Sequence, residues 1–206
     1  MKKFILFCLS LIALIFSACG GSVKIDENLS PEEAQAVRKT ESALPAGAKI
    51  QNYEVVKAKL PLALLADEYK SFRDDAYKAR LDYRTNVTRN LPQIAEKNLQ
   101  TLKTIQSEIV NKDSSLNAQS AEYIFVLADV KERERRDGNL TAFIAVFDPE
   151  NVEQVDFVQV TKPLYNNAVM VTEALDGTLA NPDPADEANL KSENPVVNFI
   201  LKASPK

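Results

Sequence analysis

The apolar side chains of this chain keep helical spacing between residues 62 and 109 and strand spacing between residues 123 and 160. Leu62, Leu65, Tyr69, Phe72, Ala76, Ala79 and Tyr83 recur at alternating three- and four-residue steps, which sets them on one helix face. Asn90-Leu91-Pro92 interrupts that helix, and Pro92 suits the first turn of a second one, carried on by Leu99, Leu102, Ile105 and Ile109 and ending near residues 111–115. Residues 123–130 and 140–147 then read as strands. The second is apolar at odd and even positions alike, as a strand covered on both faces is. Asp137-Gly138 between them is a two-residue hairpin signal, Asp148-Pro149-Glu150-Asn151 is a turn, and residues 152–160 predict a third strand of the meander.

The flanks complete the pattern. Ser30-Pro31-Glu32-Glu33 carries a cap, a proline for the first turn and the glutamate of a capping box, so a helix runs from there to Leu44 and stops at Pro45-Ala46-Gly47. Residues 49–59 predict a strand. Leu164, Ala168, Val171 and Leu175 have helical spacing, with Asp176-Gly177 as a stop. Residues 178–194 read as a polar loop, and residues 195–201 as a short strand or a packed segment. The fold class is therefore α+β, a three- to four-stranded antiparallel sheet packed against long helices in one domain over residues 30–206. The strand–helix–strand–strand–strand order resembles cystatin-like and NTF2-like folds, where a curved sheet wraps a helix and a cavity can lie between them.

Composition narrows the chemistry. The 206 residues contain no histidine, and the two cysteines are Cys8 and Cys19. Ser-His-Asp and Cys-His mechanisms and His-ligated zinc are thereby excluded. With a net charge of −4 and cations interspersed among acids, no general attraction to nucleic acid is expected. An apolar share of 45% is enough for a core.

Residues 1–18 read as a leader: Lys2-Lys3, an apolar run, and a small-residue exit at Ser17-Ala18. The apolar stretch of residues 4–18 spans about 22 Å as a helix, short of the roughly 30 Å of hydrocarbon that a spanning segment must cross. Phe16-Ser17-Ala18-Cys19 resembles the lipobox of bacterial lipoproteins, with Phe16 where that class usually has leucine. The resemblance covers the leader alone. It implies cleavage before Cys19, a diacylglyceryl group on its sulfur and a further acyl chain such as palmitate, and hence a lipid-held protein of the cell envelope. Gly20, where an aspartate would favour the inner membrane, points to the outer one. Residues 19–29 would be the lipidated cysteine and its tether, with a charged patch at Lys24, Asp26 and Glu27.

Candidate sites are few, and each has a plain structural reading. Continued from a tight turn at Asp137-Gly138, Lys131, Arg133 and Arg135 share one face of a strand and could hold an anion. Glu132 and Glu134 interleave with them, so the stripe equally serves to keep a hairpin tip soluble. Tyr69, Phe72 and Tyr83 could line a ligand pocket, form a seam for a partner helix, or pack on the sheet. Asp74-Asp75 and Asp82 are poorly placed to converge, since neighbours on a helix diverge by about 100°. The acids around Gly177 lack the spacing of a calcium loop, and the sequons at Asn86 and Asn139 are chance matches. No metal and no cofactor are implied. The expectation is a non-catalytic domain that binds a small ligand or an envelope protein. The alternatives are a self-associating structural component and a carboxylate-dependent hydrolase.

Overall fold

The computed structural model describes residues 23–59, 69–119, 121–132, 140–181 and 189–203. Helix α1 (Pro31–Ala43) begins at the expected capping box: the Ser30 hydroxyl accepts from the Glu33 N–H, and the Glu33 carboxylate accepts from the Ser30 N–H. The neighbouring Glu32 carboxyl is held below the usual carboxylate range by its own backbone N–H and by Ser30. Its charge thus supports the helix start at neutral pH and is lost only as pH falls through that lowered value.

The sheet is a four-stranded antiparallel meander, β1 (Lys49–Lys59), β2 (Glu122–Lys131), β3 (Thr141–Phe147) and β4 (Gln154–Gln159), in the order β1-β2-β3-β4. Every residue of β3 is buried, as its unbroken apolar run predicts. β4 is the short outer strand. Its expected first residues are diverted into the turn before it, where Val152 takes φ +54°. That conformation is unfavourable for a β-branched side chain. Burial of the Val152 side chain beside α1, and a Lys39 ammonium donating to its carbonyl, hold it there.

Strand alternation divides the apolar residues between two faces. Ile124, Val126, Ala145 and Phe147 pack with Ala36 and Val37 of α1. Phe125, Leu127, Ile144 and Val146 pack beneath four helices on the other face: α2 (Tyr69–Thr88), α3 (Pro92–Gln119), α4 (Lys162–Leu175) and α5 (Pro195–Ala203). The sheet is thus sandwiched between one helix and four.

Three elements depart from expectation. Helix α3 runs through residues 111–115 to Gln119, because that polar stretch holds neither proline nor glycine to stop it. Residues 195–203, expected as a short strand or a packed segment, pack on the core as a helix. Asn194 accepts from the Val196 and Val197 N–H groups, Pro195 occupies the first turn, and Val196, Val197 and Ile200 meet the core on one face. Residues 23–29 are part of the folded body rather than a free tether. Val23, Ile25 and Leu29 pack against the α1 side of the sheet, the Val23 N–H donates to Glu41, and the Asp26 N–H donates to the Tyr53 hydroxyl.

Helix α4 ends as its Asp176-Gly177 signal requires. Gly177 takes φ +81°, and the Thr178 and Leu179 N–H groups both turn back to the Glu173 carbonyl.

Candidate functional site

Cys19, the leader, Arg133 and Arg135 lie outside the described residues. Lys131 is exposed at the end of β2, directly opposite Lys49. The β2–β3 ladder sets Val130 opposite Thr141. A two-residue turn at Asp137-Gly138 continued as an unbroken ladder would set Val130 opposite Ala145 instead.

The aromatic helix face turns inward. Tyr69 is fully buried and Phe72 half-buried, their ring centroids 6.1 Å apart, with the Lys112 ammonium of α3 standing 5.4 Å and 6.0 Å from the two rings. Tyr83 is half-buried on the same face, fourteen positions and about 21 Å of helix beyond Tyr69. Ala76 and Ala79 between them are buried, so this face is occupied within the chain by packing among the helices. It is not an open seam, and none of the three aromatic residues lines either cavity described next. Two of the described cavities lie between helices.

The larger of these has a volume of about 540 Å³ and is walled by Asp113 of α3, by Thr172, Leu175 and Asp176 at the end of α4, and by residues 191–197. Its outer wall is braced by side-chain hydrogen bonds. The Ser192 N–H donates to Asn198, the Asn198 amide donates back to the Ser192 carbonyl, and the Asn194 amide donates to the Lys59 carbonyl at the end of β1. Asp113 is buried, and among the described lining residues Asp176 and Glu193 add two further carboxylates against the single ammonium of Lys191. Thr172 is buried in this wall, and its hydroxyl has no hydrogen-bond partner. The site thus combines an apolar side from Val171, Leu175 and Val197 with a rim that is net acidic, the composition of a small-molecule cavity.

A second cavity, of about 450 Å³, is the groove between α2 and α4. Two arginines one heptad apart on α2 reach across it. The Arg73 guanidinium donates to the Asn167 side chain at 3.1 Å. The Arg80 guanidinium donates to the Glu173 carboxylate and to the Leu179 carbonyl, both at 3.1 Å, and its Nε is buried without a partner. Glu173 and Lys162 are the only charged residues of α4. A lone acid amid apolar helix positions is the signal that could have found this ion pair, since a buried charge demands a partner. The cation that answers it is 93 positions away, which no local pattern reveals.

Asp74 is engaged by the neighbouring Arg73, and among the described residues no three acidic, histidine or cysteine side chains stand close enough to share a metal ion. No described helix is long and apolar enough to cross a membrane. Comparison with known proteins finds no family, no curated protein and no solved structure that this chain matches.

Proposed function

We propose that this chain is a lipid-anchored binding domain of the bacterial cell envelope, non-catalytic, which takes a small ligand into the cavity between α3, α4 and α5. The leader and the Phe16-Ser17-Ala18-Cys19 box supply the anchor. Each buried methylene of an acyl chain contributes about 0.8 kcal/mol, so a diacylated cysteine stays on a membrane without a spanning helix. Val23 already packs against the body, and only residues 20–22 separate it from Cys19. That span reaches about 14 Å at full extension, which holds the body close to the bilayer. Absent histidine and an acylated cysteine leave little nucleophilic or general-base chemistry, which favours binding over catalysis.

The observation that carries the reading is the braced, partly apolar cavity with buried Asp113 and a net acidic rim. Among the described lining residues, three carboxylates against one ammonium favour a neutral or cationic ligand over an anion. The experiment is native mass spectrometry of the full chain extracted from its own envelope in mild detergent. A small molecule should co-purify with the wild type and be reduced in Leu175→Trp, which crowds the cavity from a half-exposed position. A chain that stays empty and partnerless across envelope extracts contradicts the proposal.

A further inference from the structure

The hairpin of α2 and α3 runs on beyond its packing. Ala79 is the last buried residue of α2, and no residue from 80 to 94 is buried. The last turns of α2 thus extend about 15 Å past Ala79 at the helical rise. The Asn86 amide donates to the Asn98 side chain at 3.0 Å and ties the two helices near their turn. The turn itself is closed twice, by the Leu91 N–H on the Asn86 carbonyl and by the Asn90 N–H on the Val87 carbonyl, with Asn90 at φ +56°. In a turn of this kind the residue that follows the left-handed one ordinarily rests on an apolar side chain one turn back. Here those positions hold Thr85 and Asn86, and Leu91 is 40% exposed, with Val87 at 53% and Ile94 at 47% on either side of it in the chain. A rigid turn therefore presents three large apolar side chains to the surroundings.

We infer that this tip is a docking surface for an anionic lipid bilayer, with Val87, Leu91 and Ile94 entering the headgroup region. Charge complementarity selects the occupant. Between residues 83 and 99 the chain carries Arg84, Arg89 and Lys97 against Glu96 alone, and Glu96 already accepts from the Gln100 amide. Arg89 and Lys97 are exposed and enter no ion pair among the described residues. Lys97 stands three positions after Ile94 and so shares its helix face. Its long stem can keep the ammonium at the headgroups while Ile94 is buried below them. Cations flanking apolar side chains are what hold a surface element on an anionic membrane. Shape disfavours a protein partner. A convex turn with three partly exposed apolar side chains offers far less than the about 800 Å² a side of a stable protein interface. This inference depends neither on the anchor at Cys19 nor on what fills the cavity between α3, α4 and α5.

The chain has no tryptophan, so Leu91→Trp places a single indole at the tip. The test is quenching of that indole in the full chain reconstituted with vesicles of phosphatidylglycerol or of phosphatidylcholine, by bromine on the acyl chains and by acrylamide in the water. In phosphatidylglycerol it should be quenched by the brominated chains and shielded from acrylamide, and in phosphatidylcholine much less so. Arg89→Glu/Lys97→Glu added to Leu91→Trp should move the insertion equilibrium roughly tenfold or more towards water, and Val87→Asp/Ile94→Asp should abolish insertion. Tyr77→Trp, about 21 Å back along α2, is the control and should stay open to acrylamide. All these positions are exposed, so circular dichroism of each variant should be unchanged. A tip indole open to acrylamide on phosphatidylglycerol vesicles overturns the inference. So does shielding that is equal in the two lipids or indifferent to the charge reversals, and so does shielding that arises only when envelope proteins are added, which would make the tip a protein contact.

Discussion

Glu173→Ala should unfold the domain at markedly lower denaturant, with a loss of about 3–5 kcal/mol. The Glu173 side chain is 4% exposed and that of Arg80 16%, so their 3.1 Å contact is made in a largely dehydrated setting. Removing the carboxylate leaves a guanidinium between α2 and α4 whose Nε already lacks a partner and whose remaining protein contact is the Leu179 carbonyl. Water must then enter the interface, or the arginine must leave it, and either outcome loosens α2 from α4. The pair need not stabilise the fold relative to apolar packing, since desolvation offsets much of the attraction. Arg80→Met/Glu173→Leu should accordingly recover most of the loss that either single change produces. Urea unfolding of the four proteins checks this, and a Glu173→Ala midpoint within error of wild type would mean that the pair is solvated and weak.

Phe125→Ala should cost a similar amount, about 3–5 kcal/mol, by a different route. Phe125 is fully buried on β2, with Val56 of β1 and Val146 of β3 as its cross-strand neighbours and the Tyr123 ring edge-on at 6.5 Å. It lies under the four-helix layer, and truncation opens a cavity that the two flanking strands cannot collapse to fill. Against a total stability of about 5–15 kcal/mol for a domain of this kind, that is a large share. Val155→Ala on β4 is the control, since Val155 is 49% exposed and its loss should stay within about 0.5 kcal/mol. Equal losses at the two positions would contradict the placement of the core.

These two sites also show where the sequence could be read and where it could not. Phe125 belongs to a run whose strand period is local, and local patterns found β1, the capping box of α1, the buried β3 and the stop at Gly177. Residues 195–201 read as a short strand or a packed segment because so few residues hold too few periods to show a helix, and the Asn194-Pro195 start makes one of them. Val23, Ile25 and Leu29 read as tether in the sequence because three apolar residues among charges do not reveal the surface they meet. The cavity near α5 and the partner of Glu173 are illegible in the sequence for one shared reason. Both are assembled from segments tens of residues apart, and nothing in the spacing of either segment refers to the other.

The anchor is tested most directly by the mass of the amino-terminal peptide of the chain recovered from its own membranes. The account predicts a chain that begins at Cys19, its thiol bearing a diacylglyceryl group and its amino group a further acyl chain. A free Cys19 thiol, a retained leader, or a chain recovered wholly in the soluble fraction would contradict it.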